Sequence, residues 1–525
     1  MATEETPLIQ PPRQGPSFRR KLVIAAFIGV TMIIQTTNVS MMTTTQSLIA
    51  ADLDAFDKTT WFTSAYLIPM SSASPLSGRL SHIFTPRVYL IASCALMSLG
   101  LFVTASAHSL AVFLTGRAIA GCAAGGLMGT STILILELAS TRRRGLCLGM
   151  LNAGYTTGIA SGAIVAGLVA PKYGWQVIFW FQAFIMLAMT LSLFVAIPPV
   201  VQEEEQDNSL LEKLGRVDYA GAIALAISVF LLLFSLSSAQ IQTTPLLLSI
   251  LAITVFLAIE SRLTSRGAEP IIPISILKMR SVVLTCAAGM AAMMTRWSVL
   301  FYTPIYTMAV RGWSPGSAGL ILLPTNAGFG LGGLVVGAVH IKGGGGYYTS
   351  CVVILVLLSI FTAALSLLST ASSPVSAYIL ATFVNGFCAG AMVNYTLSHI
   401  LHLTATPLHY IITALVGMSR GFAGSFGSAI GGGLFTRVLK AQLESAFHAH
   451  EVPDSEKLIR RLLGSPTLVS SLEGVERNIA IEGYQHATRT LFLTGAGLVL
   501  VAAALQAGTG WEPETKEEVD EMSEA

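Results

Sequence analysis

The chain has 525 residues, of which 53% are hydrophobic and only 11% charged, with a formal net charge of +2. A soluble domain carries about 25% charged residues, and no soluble core could hide this much apolar sequence. Composition therefore excludes an ordinary globular enzyme and gives no reason to expect a nucleic-acid partner.

A polar tail, 1–21, precedes the first apolar segment. Six segments follow: Leu22–Met42, Trp61–Leu80, Val88–Ala107, Ala111–Leu136, Leu146–Ala170 and Trp175–Val200. A polar link at 201–217 contains the run Glu203, Glu204, Glu205. A pair comes next, Tyr219–Ser238 and Pro245–Ile259, within 218–262. Six more are Val282–Val310, Ala318–Ile341, Tyr347–Leu368, Val375–Leu401, Tyr410–Phe435 and Thr490–Leu505. Most match the roughly 17–25 residues that cross a bilayer as a helix. Lipid offers the backbone no hydrogen bonds, so spans of this length must be helical. The predicted fold is an all-α integral membrane protein with fourteen spans.

Charge sets the orientation. With the amino terminus in the cytosol, cytosolic segments collect Arg19, Arg20, Lys21, Arg79, Arg87, Arg142, Arg143, Arg144, Lys213 and Arg216 among others. The short loops opposite hold Lys58, Lys172 and Arg311. This asymmetry is the positive-inside pattern. It makes 438–487 a non-cytosolic loop on the membrane surface and 509–525 an acidic cytosolic tail. The first apolar run is as long as a span and reads as a retained helix, not a cleaved signal.

Three basic residues remain inside spans: Arg117, Arg296 and Arg420. Each costs at least about 2.5–3.5 kcal/mol at mid-membrane, so each needs a wet cavity or a partner. Every Asp and Glu falls in a loop, a tail or the last turn of a span. The core is thus positive without buried acid. Either a cavity accepts a substrate anion, or backbone carbonyls and neutral side chains clamp the guanidiniums. Arg296 opens a polar aromatic face with Tyr302 and Tyr306, and is the leading substrate contact. Gln35, Asn38, Asn326 and Asn385 are candidate polar lining, with Arg117 and Arg420 as cavity or coupling residues.

Glycines recur at spacings of three and four, which lets helix backbones approach closely. Gly328, Gly330 and Gly333 match a dinucleotide fingerprint in spacing, but no strand precedes them. No cofactor and no metal site are expected. The six cysteines form no CxxC pair, and His399, His402 and His409 lack an acidic or thiol partner at ligand spacing. No nucleophile–base pair points to an enzyme.

Several motifs resemble the major facilitator superfamily, in its fourteen-span drug:proton antiporter branch. Gly78-Arg79-Leu80-Ser81-His82-Ile83-Phe84-Thr85-Pro86-Arg87 resembles its gating loop, with His82 in place of an Asp. Leu114-Thr115-Gly116-Arg117 resembles the fourth-span Arg motif, and Gly154, Gly158, Gly162 and Gly167 approach the fifth-span antiporter motif without its proline. Glu269-Pro270-Ile271-Ile272-Pro273, Tyr302-Thr303-Pro304-Ile305-Tyr306 and Ser419-Arg420-Gly421 are similar to fungal vacuolar amino-acid permeases. Glu4 with Leu8-Ile9 resembles an acidic dileucine sorting signal.

The resemblance implies two six-helix halves, 22–200 and 263–508, with a helix pair inserted between them. It implies rocker-switch transport with a cytosolic gate at Arg79, Arg87, Glu137 and Arg143. The expected cargo is amino acids or similar small organic solutes at the vacuolar membrane, handled by a monomer, with a coupling proton as a further partner. The alternative is plasma-membrane efflux of apolar toxins, and a third reading is a nontransporting sensor. One departure stands out. Gln35 occupies the place of a first-span Asp implicated in proton or cation handling, which weakens both proton antiport and a basic substrate.

Overall fold

The computed structural model describes residues 18–138, 144–197, 219–237, 242–265, 276, 278–341, 347–405, 408–450 and 455–510. Among the described residues, regular structure is helical throughout. Helix α1 is Phe18–Ser40 and α2 is Met42–Asp52, followed by α3 Thr59–Phe84, α4 Pro86–Ala105, α5 Leu110–Leu138, α6 Arg144–Tyr173 and α7 Trp175–Ala196. The pair α8 Tyr219–Ser237 and α9 Thr243–Ser265 comes next. Then follow α10 Arg280–Ala309, α11 Pro315–Leu320, α12 Leu322–Val335, α13 Tyr348–Leu368, α14 Val375–Leu403, α15 His409–Ala449, α16 Ser455–Gly464 and α17 Gly474–Ala507.

The breaks have local causes. Thr85 takes φ +72° just before Pro86, which lacks the N–H that would continue α3 and starts α4 instead. Gly174, at φ +84°, turns the chain between α6 and α7. Pro315 opens α11, where the Ser314 hydroxyl accepts the Ser317 N–H at 3.3 Å.

Helix contacts repeat between the two ends of the chain. In the first half α1 packs on α6, α3 on α5, α4 on α5 and α4 on α7. In the second, α10 packs on α15, α12 on α14, α13 on α14 and α13 on α17. The two sets correspond helix by helix, which is the signature of a structural repeat. Glycine permits the closest of these contacts. A Cβ on Gly328 or Gly332 would collide with the carbonyl of Phe383 or Phe387, and one on Gly386 or Gly390 with that of Thr325 or Phe329. In the first half, a Cβ on Gly125 would sit 2.5 Å from the Met70 carbonyl.

The halves meet along two seams, α3 with α15 and α6 with α11 and α12. Close contacts crowd one end of the bundle, opposite the start of α1. There α2 also touches α10 and α11, and a Cβ on Gly319 would lie 2.9 Å from the Ala163 backbone. This is called the closed end below. Helix α8 lies against both α3 and α15, bridging one seam, while α9 packs chiefly on α8.

Length and composition qualify twelve described helices as spans. Helices α3 and α15 are long enough, at 26 and 41 residues, but are rich in Ser, Thr and Gly. Three expectations need correction. The segment ending at Ile259 extends to Ser265, and the tenth segment begins at Pro315 and ends in a π-helical turn, Val336–His340. The stretch 438–487, expected as a surface loop with helical patches such as Ser455–Leu463, has that patch as α16 but is otherwise more helical: α15 runs on to Ala449 and α17 starts at Gly474. Its charges hid the apolar positions Leu439, Leu443, Leu462 and Tyr484, all buried in the main core.

Gly390→Val should overpack the α12–α14 contact at a cost of about 1–3 kcal/mol or more. Gly330→Ala, whose Cβ meets nothing within 4 Å, should be neutral. Unfolding midpoints of the two purified variants check this, and equal midpoints would contradict it.

Candidate functional site

Helix α10 carries Arg296 into the seam between the halves. The residue is 4% exposed. Its Nη2 donates to Asn326 Oδ1 at 3.0 Å and its Nη1 to Thr325 Oγ1 at 3.4 Å, both on α12. Its guanidinium carbon stands 4.1 Å above the centroid of the Phe329 ring. Tyr155 of α6, in the other half, lies within electrostatic range. Asn326 is held in turn by its amide, which donates to the Leu322 carbonyl at 2.9 Å. A guanidinium has five N–H donors. These partners use two of them, and both acceptors are side-chain atoms that can turn away.

Arg117 has a different setting. It is fully buried on α5, within the first half. Its Nε donates to the Phe62 carbonyl at 3.0 Å, and its Nη1 donates to the Asn38 carbonyl at 3.2 Å and Asn38 Oδ1 at 2.6 Å. The Tyr66 ring lies 4.6 Å away. The Asn38 amide donates to Gln182 Oε1. Arg117 therefore ties α1, α3 and α5 together and reaches α7 through Asn38. The structure places it as a clamp, not as cavity lining.

Arg420 on α15 is half-buried and clamps within the second half. Its Nη2 donates to the Val393 carbonyl at 2.9 Å and Thr396 Oγ1 at 2.8 Å, both on α14. Among the described residues, no carboxylate approaches any of the three guanidiniums within ion-pair distance. Glu260 on α9 is buried, which corrects the expectation of a core without buried acid; α9 packs chiefly on α8.

The polar candidates do not converge on one point. Gln35 donates to the Ala124 carbonyl at 3.1 Å and leaves its Oε1 buried without a partner. Asn385 donates to Thr362 Oγ1 at 2.9 Å and braces α14 on α13, inside the second half. Tyr306 is a structural tie at the closed end: its hydroxyl donates to the Thr370 carbonyl at 2.8 Å and accepts Arg311 Nε at 2.8 Å. Asn385 and Tyr306 thus leave the list of lining residues. Helical spacing puts Tyr302 and Tyr306 on one face, but that face spans different depths. Tyr302 packs on Phe435 with ring centroids 4.5 Å apart and borders a small cavity beneath α16.

Sequence reasoning missed Tyr155 and the seam serines. The Tyr155 ring meets Trp297 edge-on across the seam at 6.5 Å. Ser71 and Ser425 share a hydrogen bond of 2.6 Å between α3 and α15, and Ser425 also donates to the Leu67 carbonyl. Serine-rich segments on α3 and glycine–serine repeats on α15 were the available signal.

Of the expected gate, Arg87 is visible. It donates to the Phe194 carbonyl at 3.1 Å and lies over the Phe194 ring at 5.6 Å, while Arg20 Nε donates to the Ala196 carbonyl at 2.7 Å. Both arginines thus meet the carbonyl end of α7, where a helix favours positive charge. The side chains of Arg79 and Glu137, and Arg143 entirely, lie outside the described residues. The histidines diverge: His399 Nε2 lies 3.0 Å from the Gly510 carbonyl, and His409 Nε2 lies 3.0 Å from that of Thr404.

Paired repeats, two seams and buried cations define a membrane transporter fold. Residues 26–428 match the family model of the Major Facilitator Superfamily, well over half of the sequence. The chain belongs to that family. Multidrug resistance protein fnx1 of Schizosaccharomyces pombe is 24% identical over 504 residues, covering 92% of each protein. The MFS-type transporter TwmF of Talaromyces wortmannii is 26% identical over 347 residues, 64% of this chain and 62% of that one, so less than two-thirds of TwmF is spanned. Efflux pump FUS6 of Gibberella moniliformis is 26% identical over 85% of this chain and 78% of its own. The fnx1 and FUS6 names are multidrug and efflux names, and they displace the expected kinship with vacuolar amino-acid permeases. Among solved structures, a bacterial homologue of the human lysosomal transporter Spinster, inward-facing and occupied, superposes with a TM-score of 0.61. It is 12% identical, covering 95% of this chain and 100% of that one, and speaks for the fold alone.

Arg117→Met leaves Asn38 Oδ1 buried and unmet, at about 1–3 kcal/mol, and removes the tie from α5 to the Phe62 carbonyl. It should lower the unfolding midpoint and the yield of monodisperse protein. Arg296→Gln, which keeps a hydrogen-bonding side chain facing Asn326, should leave the midpoint near that of the wild type. Equal losses in both would erase the distinction between clamp and site.

Proposed function

We propose that this chain exports small, largely apolar organic compounds that carry an anionic or strongly hydrogen-bond-accepting group. The site is the seam around Arg296, Asn326, Tyr155, Trp297 and Phe329. Arg296 carries the reading: a guanidinium at the junction of the two halves, held only by neutral side chains, with donors to spare. Aromatic rings and the half-buried Met290, Met293 and Met294 supply adaptable apolar surface around it. The efflux and multidrug names of the matched proteins support export over amino-acid uptake. They also favour the plasma membrane over the vacuole.

In this reading the chain crosses the bilayer fourteen times, counting α3 and α15, with its amino terminus in the cytosol. The halves rock about the bound compound, which drives the change only by binding the two states unequally. Gln35 cannot carry a proton, so a coupling proton would have to travel by a route other than the first span. The gate residues Arg79, Arg87, Glu137 and Arg143 remain the proposed cytosolic contact. Arg420 braces α14 against α15 during the motion.

The test is expression in a yeast strain stripped of its own drug pumps, followed by retention of a panel of labelled aromatic acids, esters and amines. Cells should retain less of the acidic compounds than empty-vector cells. Arg296→Gln should abolish the difference, consistent with the roughly 1.5–3 kcal/mol of a hydrogen bond to a charged group. Equal retention of every compound with and without the protein would sink the export reading.

A further inference from the structure

Helix α16 lies across the closed end, where it meets both halves. Its residues alternate by side. Ile459 and Leu462 are buried, whereas Glu456, Lys457, Arg460 and Arg461 face outward. That is the pattern of an amphipathic surface helix. Two attachments hold it, and they differ in kind.

On the second half the attachment is broad. The Tyr484 hydroxyl of α17 donates to the Leu462 carbonyl. Leu462 and Ile459 share a core with Leu439 and Leu443 of α15. On the first half the seat is the turn Phe56–Lys58 and the neighbouring α2. Gly464 rests on Phe56, so close that a Cβ there would collide with the Phe56 carbonyl and lie 2.6 Å from its Cα. Beside it, Arg460 Nη2 donates to the Asp54 carbonyl at 3.3 Å and reaches Asp54 Oδ1 at 3.6 Å. Both side chains of that ion pair are about half exposed or more, and such pairs contribute little. Asp54 itself sits at φ +46°.

Under this helix lies a small cavity of about 40 Å³ between the halves, as much apolar, through Phe301, Ile305 and Phe435, as polar. Thr43 and Thr60 line it from the first half, Tyr302, Ser428 and Thr436 from the second, and Leu463 borders it. A space that is half polar and half apolar at the junction of two moving bodies is a natural exit path for the amphiphilic compounds proposed above, and α16 covers it.

We propose that α16 is an exit lid. It travels with the second half and peels from Phe56 and Asp54 each time the closed end opens. The contacts to the Phe56–Lys58 turn and the exposed ion pair are the parts that break, because α16 is joined through the chain to α15 and α17 of the second half. Position 464 needs glycine for this seat, since any side chain would prop the lid up. The proposal rests on the rocking of the halves proposed above.

The test uses the full chain in membranes, free of native cysteines, with Thr60→Cys placed beneath the lid. A membrane-impermeant maleimide is applied from the side bearing α16. Gly464→Ala should speed labelling at least about fivefold, the lower end for an overpacked contact. Arg461→Ala, on the outward face, should not change it. In a second protein, Asp54→Cys and Arg460→Cys, which face each other across the seat, are bridged by a short reducible bis-methanethiosulfonate, and this should stop transport until reductant is added. Unchanged labelling in Gly464→Ala, or full transport by the cross-linked protein, would overturn the lid. Labelling that responds as expected in a protein that moves no compound would instead keep the lid and discard the export reading.

Discussion

A guanidinium taken from water into a membrane must recover its lost solvation from protein, and this requirement shapes the bundle. Here neutral groups meet most of it, with Arg117 Nη2 and Arg420 Nε left buried without a partner among the described residues. Arg117 draws on two backbone carbonyls and the Asn38 amide oxygen. Arg420 draws on a carbonyl and a hydroxyl of α14. Both are fixed within one half. Arg296 has only the side chains of Thr325 and Asn326 and the face of Phe329, and it stands at the seam. The same chemistry thus serves two ends. Backbone acceptors make a brace, and side-chain acceptors leave a charge available to a visitor.

Rigid halves and thin seams follow from the placement of small residues. Gly328, Gly332, Gly386 and Gly390 bring α12 and α14 into backbone contact, and Gly125 does so for α5 on α3. Packing of that closeness is lost with any added carbon, so each half behaves as a unit. Between halves the contacts run from the closed end, at Gly319–Ala163, to Ser71–Ser425 at the middle of α3. Helix α8 leans on the first half through the Trp61–Phe234 ring contact and Ser72, whose hydroxyl donates to the Ala226 carbonyl at 3.4 Å, and on the second through Arg437, whose Nη1 donates to the Leu236 carbonyl at 3.5 Å. The inserted pair therefore constrains one side of the motion and leaves the α6–α12 side without such a brace.

Much of this was legible from residues alone. Runs of Leu, Ile, Val and Ala marked the spans, since a bilayer admits little else. The absence of embedded acid near the arginines also followed from placing each carboxylate in turn. Depth and direction did not. Tyr306 and Asn385 lie in spans, yet their polar ends turn into their own half, toward Thr370 and Thr362. A linear pattern fixes which face a residue shares but not what stands opposite it. The stretch after Phe435 misled for a related reason: charges at Lys440, Glu444 and Arg461 mask an apolar stripe that shows only once Leu439, Leu443 and Leu462 meet in space. Tyr155 was invisible because its importance depends on a helix from the other half.

The central claim is that the Arg296 guanidinium is held in readiness for an electron-rich group. Unfolding midpoints of the purified protein, titrated with the carboxylate, methyl ester and amine forms of one aromatic scaffold, test it directly. The account predicts stabilisation by the carboxylate above the ester, none by the amine, and loss of that order when Arg296 is replaced by Gln. Stabilisation by the amine equal to that by the carboxylate, unchanged in the variant, would contradict it.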